Sequence, residues 1–426
     1  MESLVKVLKN KYVQIAIIAL FFCLIVISRR IDAVTYPQFY AEDGVFWYSE
    51  AYHAENFWEP FLVPKQGYFQ TVSRIGGFIG NLVDINYAPL TFNLIAIFFE
   101  ILPALFFLSK RFNKIVPQFY IRFLLGVIYL SLLGTAETHA NLTNVQWRLA
   151  LLIFLITIAP QSKKTLWKIF DHFFLLLSGL SGPFVFFVLP VALIYYYYKK
   201  TFKLFYSKIT ILIITAMIQF YSYFFIISSG MAARSEMSLG ANFINFFKII
   251  SGNIFIRGVL SRKYTKLITH LEFWWDNGYL PVIIGIIGMF ILCYVLWKAC
   301  LEIKLLIVFT FLVFFAALAS PQGSLTMPQW EYLAGGSGGR YYFLPRLAWL
   351  ISILWLLFNA KIKPLRYFAG LLIFSFIFLG LTHDWTFDKF HNYHFQKQVE
   401  EFKSLELGQS FEFKIQPGWK MVLEKK

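Results

Sequence analysis

The chain has 426 residues, of which 58% are apolar, 20% aromatic and 15% charged, and its net charge is +16. The apolar residues form blocks of roughly 15 to 22 separated by lysine-rich joints, and an α-helix needs about 20 apolar residues to cross a bilayer. This pattern excludes a soluble globular protein, and the unbroken Leu, Ile and Phe runs exclude the alternation of a transmembrane β-barrel.

The sequence therefore predicts an all-α fold, a polytopic helical membrane protein with about eleven transmembrane helices. In chain order the predicted spans lie near residues 12–28, 88–108, 119–134, 145–160, 166–180, 183–198, 208–229, 279–297, 304–320, 343–358 and 367–381. The fifth and sixth spans are short and are divided by GLSGP at 179–183.

Basic residues concentrate in six short joints that alternate with longer loops. The joints hold 19 of the 39 Lys and Arg, whereas most acidic residues fall in the longer loops. The positive-inside rule then predicts a cytoplasmic N-terminus and long loops outside the cytoplasm. This distribution accounts for the net charge without a nucleic acid partner, and it predicts a multi-pass protein of the cell membrane, in a bacterium the plasma membrane.

The first long loop, residues 29–87, contains two motifs. Adjacent carboxylates, Glu42 and Asp43, stand in AEDG shortly after the first span. Apolar residues then recur at three- and four-residue steps through GYFQTVSRIGGFIGNLV, which predicts an amphipathic helix over 69–83 lying on the membrane plane.

The other long segments on the same side are residues 135–147, 230–278, 321–342 and the tail from 382. In the 230–278 loop, polar and basic residues stand between aromatic ones, which predicts further amphipathic helices that roof a cavity at the membrane surface. In the tail, FEFKI alternates like a strand and QPGW favours a turn, which predicts a small β-hairpin. We therefore divide the chain into a transmembrane domain with external loops, residues 1–382, and an extracytoplasmic extension, residues 383–426, that caps the loops or contacts substrate.

Glu42 and Asp43 are the candidate catalytic residues, with Asp43 preferred as the base. Neighbouring side chains point apart on a helix or a strand, so one carboxylate would act while the other orients it or binds a cation. The alternative is a solvated loop in which Asp43 is a helix N-cap. No motif supports a divalent cation, which stays an open alternative as a cofactor.

Three arginines are candidates for binding a phosphate group. Arg340 follows GGSGG directly before a span, where glycines let backbone N–H groups surround an anion and a guanidinium forks onto phosphate oxygens. A flexible surface loop is the alternative for this stretch. Arg74 and Arg346 are the other two candidates.

Polar and aromatic side chains near the outer ends of the spans suit the hydroxyl groups and apolar faces of sugars. The candidate sugar- or acceptor-binding residues are Asn144, Gln146, Trp147, Arg148, His53 and Tyr68. Interfacial anchoring explains Trp147 equally well. The same loops carry polar residues to which the sequence assigns no individual role: Lys65, Glu137, His139, Asn141, Arg234 and Glu236.

This arrangement resembles the GT-C superfamily of integral membrane glycosyltransferases, which use lipid-phosphate sugars as donors. By this resemblance Glu42 and Asp43 match the catalytic acidic motif of the first external loop, residues 69–83 its membrane-surface helix, and Arg340 the residue that contacts the donor phosphate. AEDG departs from the commoner DD or DE pairs. A large periplasmic C-terminal domain is missing, which argues against an oligosaccharyltransferase-type role.

The resemblance implies an inverting, hexosyltransferase-type enzyme that transfers a sugar from a polyprenyl-phosphate-linked donor to a cell-envelope glycan outside the cytoplasm. One carboxylate base, with positive charge for the leaving phosphate, suffices for such a reaction. The alternatives are a lipid-linked glycan polymerase or ligase, and a transporter or flippase. Transporters usually bury ionisable residues at mid-bilayer, and here Glu100 and Asp171 are the only acids well inside predicted spans.

Overall fold

A computed structural model describes residues 10–65, 67–228 and 237–426 of the chain. The structure is mostly helical, and each predicted span contains a helix. We number these helices in chain order: α1 Lys11–Arg29, α2 Ala88–Phe107, α3 Phe119–Leu130, α4 Val145–Ile158, α5 Thr165–Gly179, α6 Val185–Tyr198, α7 Phe202–Ser228, α8 Tyr279–Lys298, α9 Leu301–Ala319, α10 Phe343–Asn359 and α11 Lys363–Ser375.

Seven helices of the described chain are long and apolar enough to cross a membrane. They are α1, α2, α7, α8, α9, α10 with the turn before it, and α11 with the helical residues after it. The protein is therefore a helical membrane protein. The other four helices have 12 to 15 residues, fewer than the roughly 20 that cross a hydrocarbon core without help.

Helices α3, α4 and α6 are shorter than predicted because irregular backbone replaces their ends, whereas α5 has the predicted length. Residues 131–134, predicted as the end of the third span, belong to a loop. Helix α4 lies at the centre of the bundle, where every residue except Gln146 is buried.

The long loops gather at one end of the bundle, which we call the loop end. The first loop joins the turn between α5 and α6, because the Thr71 N–H donates to the Leu180 carbonyl at 3.1 Å. The segment before α10 joins the α3–α4 loop, because the Arg340 N–H donates to Glu137 Oε2 at 3.0 Å.

The basic joints meet at the opposite end. Arg111, between α2 and α3, pairs with Asp171 of α5 at 2.5 Å, and Lys208 of α7 pairs with the same carboxylate at 2.7 Å. Segments predicted to lie on one side of the membrane therefore share one end of the bundle.

The helix predicted over 69–83 is present as Thr71–Asn81, but its buried face differs from the predicted apolar stripe. The buried face carries Ser73, Arg74 and three glycines. A Cβ atom at Gly77 would lie 2.0 Å from the Trp47 carbonyl oxygen, so the two backbones approach closely only because this residue is glycine. Phe78 and Leu82 remain exposed on the other side.

The prediction of a surface amphipathic helix is wrong for the first part of the 230–278 loop. Helix Phe243–Lys248 continues as a π-helix, Ile249–Ile256, in which all eight residues are buried. This segment has no charge after Lys248, and Phe255 fills the gap left by Gly288 of α8. The amphipathic helix of this loop is the next one, Arg262–Thr269, which has no buried residue.

The tail contains helix Phe395–Ser404 and the predicted β-hairpin. Strands β1, Ser410–Ile415, and β2, Trp419–Glu424, pair antiparallel, with Phe411 opposite Leu423. The buried face of the hairpin consists of Phe413, Ile415, Met421 and Leu423.

Candidate functional site

The connection between α3 and α4, residues 131–144, is an irregular loop held by arginine side chains. Buried carbonyl groups outside helices and strands need donors, and a guanidinium offers five in a rigid fork. Four arginines from other segments donate to this loop: Arg29 to Leu132 O at 2.8 Å, Arg346 to Gly134 O at 2.6 Å, Arg30 to Ala136 O at 3.2 Å and Arg148 to Thr138 O at 3.4 Å. The loop is thereby fixed at the loop end of the bundle.

Arg346, a candidate for phosphate binding, is one of these anchors. Its side chain is buried, and its Nε also donates to the Asn253 carbonyl at 2.6 Å. A Cβ at position 134 would lie 2.4 Å from Arg346 Nη1, and Gly134 has φ +66°, so glycine is required there. Because the side chain is buried and its Nε and Nη1 serve backbone carbonyls, this geometry argues against the predicted phosphate contact.

Arg148 belongs to a buried ion cluster inside the bundle. Its Nη2 donates to Glu100 Oε1 at 2.6 Å, and His139 Nδ1 lies 3.1 Å from the same oxygen. The Ala140 N–H donates to Glu100 Oε2 at 3.2 Å. Glu100 thus ties α2 to α4 and to the 131–144 loop. Arg148 is only 2% exposed inside the bundle, which argues against the predicted sugar contact, although its Nε and Nη1 have no hydrogen-bond partner among the described residues.

Asn144 is also occupied within the loop. Its Nδ2 donates to the Glu137 carbonyl at 2.9 Å, and Asn141 Nδ2 donates to the same carbonyl at 2.8 Å. Both side chains are buried. These amides therefore fix the backbone that carries Glu137.

Arg74 and His53 lie with other partners. Arg74 pairs with Glu50 at 2.5 Å and stacks on the Trp47 ring with 4.9 Å to the centroid, while Lys65 pairs with the second oxygen of Glu50 at 2.6 Å. His53 is exposed, and its Nε2 accepts from the Glu424 N–H of the hairpin at 3.3 Å.

Asp43 is fully buried and both of its carboxylate oxygens are engaged. The Thr143 hydroxyl donates to Oδ1 at 2.9 Å and the Leu142 N–H to Oδ2 at 3.1 Å. Burial raises the pKa of Asp43 to about 7, against the lowering effect of these two hydrogen bonds. Asp43 therefore joins the first loop to the 131–144 loop instead of opening to solvent.

Glu42, its neighbour, is only partly buried and lies in a different environment. Burial raises the pKa of Tyr68, a hydrogen bond with Gln146 lowers it, and Arg340 and Glu42 are close enough to affect it. Burial likewise raises the pKa of Tyr40, on which Glu137, Arg340 and Glu42 also act. We call the group that these interactions bring together the Glu42 cluster: Tyr40, Glu42, Tyr68, Glu137, Gln146, Arg340 and Tyr341.

Arg340 faces Glu137 across this cluster. Its guanidinium pairs with Glu137 Oε1 and donates to the Gln322 carbonyl, and Nη2 lies 3.2 Å from the Tyr341 hydroxyl. The side chains of Arg340 and Glu137 are 28% and 21% exposed, so solvent reaches this ion pair, unlike Arg346 or Arg148. The sequence placed Glu137 near the span ends without a role, and it did not select Tyr40 or Tyr341.

Unpaired polar atoms lie in and beside the cluster. Within the described residues, Oε1 of Gln146 and the indole nitrogens of Trp47 and Trp147 are buried without a hydrogen-bond partner. The Trp147 ring packs 5.9 Å from the Tyr341 ring. Buried donors and acceptors beside aromatic rings suit a polar ligand with apolar faces, such as a sugar.

Among residues 10–65, 67–228 and 237–426, no group of three or more His, Cys, Asp or Glu side chains could hold a metal ion. Arg234 and Glu236 lie outside the described residues.

No family model, curated protein or solved structure matches the chain. Function is therefore inferred from the chemistry of the Glu42 cluster.

Proposed function

We propose that the protein is a membrane glycosyltransferase that transfers a sugar from a polyprenyl-phosphate-linked donor to a cell-envelope glycan, with the Glu42 cluster as its active site. The observation that carries this proposal is a partly exposed ion pair, Arg340 with Glu137, at the loop end of a membrane bundle, where the partly buried carboxylate Glu42 lies in the first long loop of the same end. One carboxylate base, with positive charge for the leaving phosphate, suffices for sugar transfer from a lipid phosphate.

In this proposal Glu42 is the general base. It would take the proton of the acceptor hydroxyl as that oxygen attacks the anomeric carbon, a role typically worth about 10² to 10⁴ in rate. Asp43, the residue preferred from the sequence, becomes a positioning residue, because its two oxygens are hydrogen-bonded to Thr143 and Leu142. A single base acting opposite the leaving group is consistent with inversion at the anomeric carbon.

Arg340 would stabilise the polyprenyl phosphate as it leaves. Charge develops on the phosphate oxygens in the transition state, and a guanidinium can donate to two of them. Arg340 is the candidate arginine whose side chain is partly exposed within the cluster. Gln146, Trp147 and Tyr68 would hold the sugar or the acceptor.

Topology supports an active site outside the cytoplasm. We infer that all eleven numbered helices cross the membrane, the short ones with the help of the neighbours that bury them, and that the end with the basic joints faces the cytoplasm. A reporter fused after Lys114 or Lys199 should then be cytoplasmic, and one fused after His391 should be extracytoplasmic. A cytoplasmic reporter at His391 would require an even number of spans and would reject the eleven-span topology.

A transporter or flippase is the second candidate, and the buried group Glu100, His139 and Arg148 favours it. Ionisable residues inside a membrane bundle often mark ion or substrate pathways. Here, however, each of the three makes a hydrogen bond inside the group or to the backbone, as in a structural cluster. Substitution of Glu100 should therefore destabilise the folded bundle. A folded variant that had lost only transport would instead favour the transporter.

The test begins with gene deletion and analysis of lipid extracts. A polyprenyl-phosphate sugar that accumulates on deletion identifies the donor, and the purified protein in nanodiscs should then transfer that sugar to the envelope glycan. Transfer should be lost in Glu42→Gln. Accumulation of a complete oligosaccharide on the lipid would favour a polymerase or ligase, and the absence of any lipid-linked sugar would reject the proposal.

A further inference from the structure

From residue 385 onward, the C-terminal extension follows the first long loop from the end of α1 to the helix Ser49–His53. Hydrogen bonds join the two segments at successive positions: Phe387 N–H to Arg29 O at 2.8 Å, Phe390 N–H to Asp32 Oδ2 at 2.9 Å, Tyr393 N–H to Gln38 Oε1 at 2.9 Å and Ser49 Oγ to Val422 O at 3.2 Å. The extension therefore covers the loop segment that contains Glu42.

Gln416, in the hairpin turn, brackets the residues just before Glu42. Its N–H donates to the Phe39 carbonyl at 3.0 Å, and its carbonyl accepts from the Ala41 N–H at 2.6 Å. Ala41 has φ +46°, a left-handed conformation that is unfavourable for a residue with a side chain. Because Gln416 is itself buried, these backbone bonds are shielded from water and hold Ala41 in this conformation.

The hairpin also covers the residues just after Glu42. A Cβ atom at Gly44 would lie 2.8 Å from Ile415 Cδ1 and 3.2 Å from Met421 Sδ, so the buried hairpin face touches this backbone directly. Gly44 belongs to the π-helix Asp43–Tyr48. The hairpin therefore contacts the chain on both sides of Glu42.

We propose that the C-terminal extension is an intramolecular clamp that sets the direction of the Glu42 carboxylate, with Gln416 as its central positioning residue. The inference rests on the proposed role of Glu42 as the base. A carboxylate that removes a proton must be held close to its target, and small displacements cost large factors in rate. The extension thus supplies no reacting group but completes the active site.

The first test measures the clamp without any substrate. Ile415→Ala combined with Met421→Ala removes the side chains that touch Gly44, while Lys414→Ala combined with Val422→Ala alters the outward hairpin face and is the matched control. Hydrogen exchange of the full chain in nanodiscs should increase about tenfold for amides 39–48 in the first variant only, with α9 unchanged. The clamp proposal would be overturned if the hairpin amides of the Ile415→Ala, Met421→Ala variant exchanged faster while amides 39–48 exchanged at the wild-type rate.

The second test links the clamp to chemistry. With the donor identified by gene deletion, kcat should decrease about tenfold in the Ile415→Ala, Met421→Ala variant while KM for the lipid donor stays unchanged. The conservative variant Ile415→Leu, which keeps an apolar side chain against Gly44, should have the wild-type kcat. If amides 39–48 are exposed but kcat is that of the wild type, the positioning role is wrong. If the wild-type protein transfers no sugar from any lipid donor, the proposed function is wrong, and hydrogen exchange alone decides whether the clamp exists.

Discussion

The Thr143 hydroxyl and the Asp43 carboxylate, 100 positions apart in the chain, meet at 2.9 Å at the loop end of the bundle. This bond ties the first long loop to the 131–144 loop. The two adjacent carboxylates of AEDG thus differ in environment, because Asp43 is fully buried while Glu42 is partly exposed. In the function proposed above, Asp43 is the anchor and Glu42 the reactive group.

The first prediction compares these two carboxylates. Glu42→Gln should reduce the rate of sugar transfer by about 10² to 10⁴, because an amide cannot act as a base. Asp43→Asn should cost less than about tenfold, since the amide oxygen still accepts from the Leu142 N–H. Single-turnover rates with both variants in nanodiscs decide between them. A larger loss of transfer rate in Asp43→Asn than in Glu42→Gln would identify Asp43 as the base.

The second prediction concerns pH and stability. Burial raises the folded-state pKa of Asp43 to about 7, whereas an unfolded Asp has a pKa of about 3.9. Between these values the folded protein holds a proton that the unfolded chain has lost, so this group's contribution to stability is complete below about pH 4, declines as pH rises and is gone above about pH 7.

Wild-type protein should therefore lose stability relative to Asp43→Asn across that window, by on the order of a few kcal/mol. Thermal unfolding of both proteins between pH 4 and pH 8 measures the difference, and other titrating groups cancel in the comparison. Parallel curves for the two proteins would show that the Asp43 pKa is not raised.

The third prediction uses the geometry of Arg340. If its guanidinium donates to two phosphate oxygens, Arg340→Lys should lose most of the donor affinity that Arg340→Ala loses, because an ammonium keeps the charge without the fork. Arg262→Lys is the control, since Arg262 is exposed and pairs with the exposed Asp388 instead of a cluster residue. Binding of a polyprenyl-phosphate sugar is the measurement. If Arg340→Lys bound the donor with wild-type affinity, Arg340 would contribute only its positive charge to donor binding.

The bundle could be predicted from the sequence because apolar length and charged joints are local properties. Each apolar block contains a helix, and the FEFKI and QPGW stretches form the predicted strand and turn. The buried face of the helix Thr71–Asn81 could not be predicted, because its three glycines are buried by residues of other segments: Gly76 by Leu142, Gly77 by the Trp47 backbone and Gly80 by Phe92.

The site was predictable only in part, for a related reason. The sequence around an arginine at a span end does not show whether its side chain donates to a backbone carbonyl or contacts solvent. Arg346 meets the carbonyls of Gly134 and Asn253, whereas Arg340 remains partly exposed. Glu137 and Tyr40 were not assigned because nothing in their local sequence marks them as neighbours of Arg340.

The fourth prediction follows from that contrast between arginines. Arg346→Leu leaves the carbonyls of Gly134 and Asn253 without their donor, and each buried unsatisfied group costs about 1–3 kcal/mol. The variant should therefore unfold at a lower temperature, while Arg340→Ala, at a partly exposed ion pair, should unfold close to wild type. Thermal unfolding in nanodiscs measures both. A folded Arg346→Leu variant with weakened donor binding would instead restore Arg346 as a phosphate ligand.

The last prediction concerns Glu137, which neutralises Arg340 where the donor phosphate would bind. The pair is partly exposed, and exposed ion pairs contribute only about 0–1 kcal/mol, so a phosphate could replace the carboxylate at little cost. Glu137→Gln removes the competing charge but keeps an amide oxygen that can accept from the Arg340 N–H. Affinity for polyprenyl phosphate should rise about three- to tenfold, most clearly at low salt, because like charges no longer meet in the site. Glu331→Gln, an exposed acid in the helix before the glycine stretch, is the control and should bind as wild type. Weaker binding in Glu137→Gln would mean that the carboxylate orients Arg340 for the phosphate instead of competing with it.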